Sequence, residues 1–203
     1  MSEFTYVRHD TTAKLECYEW DNVWFEHTDR TDNTRVLYVG DSISCGIRRV
    51  ATAVAKEEIL FDGFGTSKAI DHPLLVESFK LYAKQCARLD AIIFNNGLHG
   101  WHLKEDEYGR YYDKVIGEII EEYPTVPVYI VLSTCLKDPV RDERTAERNN
   151  EAIKVAEKYG LKVIDIHSVA VENRHLLSDG VHFVADGYKA LAEKIVSVLK
   201  EDI

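Results

Sequence analysis

The 203-residue chain lacks most of the features that mark specialised protein classes. It has no apolar run long enough to cross a bilayer, which argues against a transmembrane helix. Its first ten residues are charged and polar without an apolar core, so we expect no secretory signal and a cytoplasmic location. Internal repeats and low-complexity segments are also absent, which excludes solenoid and fibrous architectures.

Cysteine is scarce, and positive charge is in the minority. The four cysteines are widely separated and form no C-x-x-C pair, a spacing typical of reduced thiols and not of a disulfide framework or a zinc site. His99 and His102 lie three residues apart without a recognisable third ligand, so we predict no metal site and no cofactor. The net charge of -10 argues against nucleic acid or an anionic membrane surface as a partner.

What the sequence does contain is a regular alternation of short apolar runs and longer segments of helical spacing. Its composition, 45% hydrophobic and 30% charged, indicates one globular domain. The pattern predicts an α/β fold with three layers, α/β/α, around a flavodoxin-like parallel sheet of five strands in the order 2-1-3-4-5. Strands are expected at residues 36–39, 59–61, 91–94, 128–132 and 163–166, and helices at residues 45–57, 73–88, 105–123, 142–159 and 185–199.

Residues 1–34 precede this alternation and differ from it in composition. They are polar but contain Trp20 and Trp24, which bury a large apolar area when they pack. We therefore predict an N-terminal arm at residues 1–34 packed on a domain at residues 35–203. The alternative is that the tryptophans line a substrate cleft as a platform for a sugar ring.

Two polar clusters contain candidate catalytic residues. Gly40, Asp41 and Ser42 follow the first strand at its carboxyl end, where parallel sheets bind ligands. These residues either cap the next helix or present Ser42 as a nucleophile. Asp179 and His182 lie three residues apart in a later loop, and a serine nucleophile needs such a base with an acceptor behind it. Their combination predicts acyl transfer, and the absence of a G-x-S-x-G elbow argues against the α/β-hydrolase fold.

These motifs resemble those of the SGNH hydrolases, or GDSL-type esterases and lipases, across residues 36–199. Gly-Asp-Ser-Ile-Ser at residues 40–44 is similar to the first block of that family, and Asp-Gly-Val-His at residues 179–182 to its last. The resemblance implies Ser42 as nucleophile, His182 as base and Asp179 as its orienting partner. It also implies that Gly65, with Gly63 as the alternative, donates a backbone N–H to the oxyanion.

The third block departs from the family pattern. Gly-Leu-His occupies residues 97–99 where the family has Gly-x-Asn, so the resemblance implies a variant in which His99 replaces the asparagine of the oxyanion hole. A neutral imidazole has one N–H donor and can take this role if its tautomer points inward. The alternatives are that Asn96 supplies the amide or that backbone donors act alone.

The expected activity is that of a serine esterase. Its partner would be a small-molecule ester or an acylated carbohydrate with a short acyl group, acetyl among the candidates, because no lipid-binding segment is evident. Two alternatives stay open: an acyltransferase that uses the same triad, and a catalytically impaired relative that binds a ligand. The sequence indicates no oligomeric state.

Overall fold

The computed structural model describes residues 14–203, so the part of the predicted arm at residues 1–13 lies outside the described residues. Within them the chain forms a three-layer α/β fold, as predicted. The strands are β1 (Asp21–Trp24), β2 (Thr34–Gly40), β3 (Ile59–Thr66), β4 (Ala91–Phe94), β5 (Val128–Val131) and β6 (Lys162–Ile164). The helices are α1 (Ser42–Val54), α2 (Leu75–Ala83), α3 (Glu105–Glu122), α4 (Pro139–Tyr159), α5 (Ile166–Glu172) and α6 (Ala185–Asp202), with a 3₁₀ turn at Arg174–Leu176.

The sheet separates two apolar cores. Along β2, Val36 and Tyr38 face one core, while Leu37 and Val39 face the other, as the two-residue period of a strand requires. The first core packs against α1, α5 and α6, and the second against α2, α3 and α4. Burial on both faces explains why the strands appear in the sequence as continuous apolar runs.

The described sheet has six strands in the order β1-β3-β2-β4-β5-β6, and five of them are parallel. The prediction of a five-stranded sheet is wrong in strand number, because β1 adds an antiparallel edge to β3. The predicted second strand at residues 59–61 is also too short. β3 continues through Gly63 and Gly65 to Thr66, because β1 and β2 satisfy its backbone from both sides.

Helix ends also differ from the predicted ones. α1 begins at Ser42 instead of residue 45, because the Asp41 side chain accepts a hydrogen bond from the Ile43 N–H and caps the helix there. The chain leaves the helical conformation at Lys56 and Glu57, which have φ of 54° and 61°. The short helix α5 was not predicted. No helix within residues 14–203 combines the length and hydropathy needed to cross a membrane.

Candidate active site

Ser42 lies at the junction of β2 and α1. Asp41 is the helix cap, so the capping role falls to the carboxylate and leaves the Ser42 hydroxyl available for other contacts. Ser42 is the first helical residue, where backbone N–H groups lack intrahelical acceptors and the helix dipole favours negative charge. The sequence thus builds a serine beside an electropositive helix end.

The loop that carries His182 is held by local contacts. Asp179 Oδ1 accepts hydrogen bonds from the backbone N–H groups of Val181 at 3.0 Å and His182 at 2.8 Å. Gly180, which lies between Asp179 and Val181, has a φ of 97°, a backbone conformation that residues other than glycine rarely adopt. The Ser178 N–H donates to the His182 carbonyl at 2.8 Å and closes the loop. This turn therefore places the carboxylate next to the ring of His182.

Ser42, His182 and Asp179 form one continuous line of hydrogen bonds. His182 Nδ1 is 2.8 Å from Asp179 Oδ2, and His182 Nε2 is 2.8 Å from Ser42 Oγ. A carboxylate only accepts, so Nδ1 carries the proton, and Nε2 of the neutral ring accepts from the serine hydroxyl. The three residues that the sequence singled out are thus brought together, although 140 positions separate Ser42 from His182.

The Asp179 carboxyl group should stay ionised in acid. The His182 backbone N–H, the His182 ring and the Val181 N–H, in that order, hold the pKa of Asp179 well below its usual range. Because the folded-state pKa is depressed below the unfolded-state pKa, the stabilisation from this group is fully present at neutral pH and is lost progressively as the pH falls from the ordinary pKa of an aspartate towards the folded-state value. We expect the ¹³C NMR chemical shift of the Asp179 carboxyl carbon to keep the value of the ionised carboxylate at pH 3.

Two variants sharpen this measurement. His182→Ala removes the ring donor but keeps the backbone donors, so the pKa of Asp179 should rise while staying below its ordinary value. Ser42→Ala keeps all three donors and should leave the titration unchanged. An ordinary titration of Asp179 in the wild-type protein would contradict the hydrogen-bonded loop.

Gly65 lies across from the nucleophile turn. It pairs with Gly40 in the register of β2 and β3, and a Cβ at this position would overlap Cys45 Sγ and lie 3.3 Å from the Asp41 carbonyl oxygen. A Cβ at Gly63 would instead overlap the Arg48 side chain, one turn further along α1. Gly65 is therefore the glycine beside the first turn of α1.

The loop after β4 is held from below by a buried arginine. Arg148 of α4 is 0% exposed, and its Nη1 donates to the carbonyls of Gly97 at 2.9 Å and His99 at 2.7 Å. Its Nη2 donates to the Gly100 carbonyl at 2.8 Å. One planar guanidinium thus satisfies three carbonyls of an irregular segment, and these bonds position the His99 backbone.

The polar side chains of this loop have different hydrogen-bond partners. The Asn96 amide donates to the Lys68 carbonyl at 3.0 Å, and the residue is 5% exposed. His99 instead pairs through Nδ1 with Glu16 Oε2 at 3.0 Å. His102 pairs through Nε2 with Asp71 Oδ2 at 2.9 Å. Each of these two histidines therefore has its own carboxylate.

These groups open into one cavity of about 780 Å³. Ser42, His99 and His182 all line it, together with residues of the arm and of the β4–α3 loop. The full lining comprises Lys14, Leu15, Glu16, Cys17, Trp20, Ser42, Leu98, His99, Trp101, His102, Arg141, Val181 and His182. Among residues 14–203, no group of three or more His, Cys, Asp or Glu side chains is arranged to hold a metal ion.

The arm reaches this cavity, and the alternative prediction that its tryptophans line a cleft holds for Trp20 but not for Trp24. Trp20 lines it and meets the His99 ring edge-on, with 6.2 Å between ring centroids. Trp24 is 41% exposed beneath Arg49 and does not line it. Glu16 was missed because a lone glutamate in a polar segment carries no pattern. Arg148 was missed for a similar reason, since most helical arginines lie on the solvent face.

Comparison with known proteins gives the fold a wider context. No protein-family model matches the chain, and no curated protein does. Solved structures do match it. An acetyl xylan esterase, AlAXEase, superposes with a TM-score of 0.65 at 19% identity, covering 81% of this chain and 99% of that one.

Two bacterial lipolytic proteins give similar values. A member of the lipolytic G-D-S-L family from Veillonella parvula has a TM-score of 0.63 at 19% identity, with 83% of this chain and 99% of that chain covered. The lipase/acylhydrolase from Enterococcus faecalis has a TM-score of 0.64 at 19% identity, with 83% and 96% covered. The chain therefore has the fold of the GDSL-type, or SGNH, lipolytic proteins, and the resemblance found in its motifs is confirmed at the level of the fold.

Proposed function

We propose that the protein is a serine esterase that hydrolyses short-chain acyl esters of a small molecule or carbohydrate. One observation carries the proposal: Ser42, His182 and Asp179 share continuous 2.8 Å hydrogen bonds, and Ser42 and His182 line the cavity. A hydroxyl bonded to the free nitrogen of a carboxylate-oriented imidazole is the arrangement that activates serine for attack on a carbonyl.

The reaction proceeds in two stages. His182 Nε2 takes the proton of Ser42 as Oγ attacks the ester carbonyl, and it returns this proton to the departing alcohol oxygen. In the second stage the same nitrogen takes a proton from water as the water oxygen attacks the acyl carbonyl. It then gives this proton to Ser42 Oγ as the bond to the acyl group breaks and the carboxylic acid leaves. Asp179 accepts from Nδ1 throughout and stabilises the imidazolium that forms in each stage.

Two donors would hold the oxyanion. The first is the Ser42 N–H at the start of α1. Gly65, the other predicted backbone donor, lies across from Ser42 but pairs there with Asn22 of β1 and Gly40 of β2, so its N–H belongs to the sheet. His99 is the second donor, because it lines the cavity with Ser42, whereas the Asn96 amide is committed to the Lys68 carbonyl. Loss of one such donor costs about 100- to 1000-fold in kcat.

The cavity has the size and the aromatic lining for a small-molecule substrate. Its volume of about 780 Å³ falls within the roughly 300–1,000 Å³ of small-molecule sites. Trp20 and Trp101 give it aromatic walls, which suit a sugar ring. The acetyl xylan esterase that shares the fold supports an acetylated carbohydrate as one candidate.

A panel of esters of increasing acyl length tests the proposal. We expect kcat/KM to fall by about tenfold or more between acetyl and octanoyl esters, since the sequence has no long apolar lid or lipid-binding segment. Product analysis with and without a sugar acceptor separates hydrolysis from acyl transfer. A fluorophosphonate should label Ser42, and its failure to label the folded protein would contradict the esterase proposal.

A further inference from the structure

The N-terminal arm reaches the active site at one carboxylate. Glu16 Oε2 lies 3.0 Å from His99 Nδ1, and Glu16 Oε1 accepts from the Gly100 N–H at 3.2 Å. Both oxygens therefore hold the loop that places His99 in the cavity. The two side chains are partly shielded, since His99 is 16% exposed and Glu16 is 34% exposed.

The arm itself is fastened to the end of β3. The Glu16 N–H donates to Glu19 Oε1 at 2.8 Å, and Glu19 Oε2 accepts from Ser67 Oγ at 2.7 Å. Ser67 in turn accepts from the Trp20 N–H at 2.8 Å, and its own N–H donates to the Trp20 carbonyl. A short chain of bonds thus connects the strand that carries Gly65 to the carboxylate that contacts His99.

The contact decides which nitrogen of His99 faces the substrate. A carboxylate only accepts, so Nδ1 carries a proton that Glu16 takes up, and Nε2 is the nitrogen left for the cavity. A neutral ring in this tautomer has a lone pair at Nε2 and cannot donate to an oxyanion. Donation from Nε2 requires the doubly protonated ring, whose positive charge the Glu16 carboxylate offsets.

We propose that Glu16 is a positioning residue of the esterase site: it orients His99 and stabilises the charged ring that donates from Nε2 to the oxyanion. This inference rests on the proposed function. The histidine that stands in for the family asparagine would then work as half of a pair. Its partner comes from a part of the chain that precedes the first parallel strand.

Glu16→Gln tests this with little change in shape. Glutamine keeps one acceptor oxygen for the Gly100 N–H but has no second one for Nδ1. We expect kcat on an acetyl ester to fall roughly 10- to 100-fold with KM little changed, because the lost interaction acts on the developing oxyanion. The rate of fluorophosphonate labelling at Ser42 should fall in parallel. Glu121→Gln, which removes an exposed charge on α3 outside the cavity, is the matched control and should change neither rate.

A double-mutant cycle separates positioning from general support of the fold. In a His99→Ala background, Glu16→Gln should have no further effect, since its route to the oxyanion is gone. In a His99→Asn background the asparagine amide donates to the oxyanion without help from a carboxylate. Glu16→Gln should therefore again leave the rate unchanged. An equal loss from Glu16→Gln in all three backgrounds would overturn the inference and assign Glu16 a structural role.

One measurement is independent of any substrate. The proton on His99 Nδ1 should give a downfield ¹H NMR resonance that disappears in Glu16→Gln and in His99→Asn, and its absence from the wild-type spectrum would overturn the inference. Failure of the proposed esterase function would give a different result from failure of this inference. It would leave this resonance in place while the wild-type protein shows neither ester hydrolysis nor labelling of Ser42.

Discussion

Replacing Ser42 by alanine is expected to lower kcat on an acetyl ester by at least about 10⁴-fold. The reason is that, among residues 14–203, Ser42 supplies the hydroxyl that His182 Nε2 contacts, at 2.8 Å, and alanine leaves His182 and Asp179 without a nucleophile to activate. Residual turnover would come from the oxyanion donors and substrate binding alone. The measurement is kcat by ester hydrolysis, together with mass spectrometry of the protein after fluorophosphonate treatment.

The structure of α1 indicates that the Ser42→Ala variant should fold as stably as the wild-type protein. Asp41, not Ser42, caps the helix, so the free energy of unfolding should change by roughly 0.5 kcal/mol or less. Ser197→Ala on the exposed face of α6 is the matched serine control and should retain full activity. Persistent hydrolysis by a folded Ser42→Ala protein would contradict the assignment of the nucleophile.

Arg148→Met is expected to damage stability and activity together. Methionine fills much of the same space but leaves the carbonyls of Gly97, His99 and Gly100 without their donor in a buried site. Unsatisfied buried acceptors of this kind should lower the free energy of unfolding by about 3 kcal/mol or more. For a chain of this size that corresponds to a fall of roughly 6–12 °C in Tm.

The loss of activity has a separate cause. Without the guanidinium the 97–100 loop is free to shift, and a displacement of His99 by even 1 Å should lower kcat by about 100-fold. Arg148→Lys should rescue little, since an ammonium group cannot reach three carbonyls in one plane. Arg110→Met, on the exposed face of α3, is the control and should leave Tm and kcat nearly unchanged. A stable, fully active Arg148→Met protein would show that other contacts hold the loop.

Much of the candidate site was open to prediction because its parts are local. A buried apolar strand followed by Gly40, Asp41 and Ser42 indicates either a helix cap or a nucleophile turn from neighbouring residues alone, and the Asp179–His182 pair then favours the nucleophile. Asp179 and His182 are three residues apart, so their contact needs only a tight loop with a glycine in it. The rule that parallel strands share one carboxyl edge then predicted that Ser42 and His182 would meet.

Other features had no local signal. β1 is a four-residue, mostly exposed strand whose sequence, Asp-Asn-Val-Trp, has little strand character, and it forms because β3 offers an open edge. The extension of β3 through Gly63 and Gly65 has the same origin. Glycines read in isolation suggest a turn, but pairing on both sides keeps them extended.

Features that the sequence alone predicts depend on short-range interactions, whereas features that only the tertiary structure determines depend on residues far apart in the chain. Residue type and short-range spacing predicted the α/β class, the candidate nucleophile and its candidate acid–base pair, because strands, helix caps and tight turns depend on a few adjacent residues. The partner of His99 was settled only by the tertiary structure. Glu16 lies 83 positions away, and a single carboxylate in a polar arm gains meaning only when sheet pairing brings the arm to the cavity.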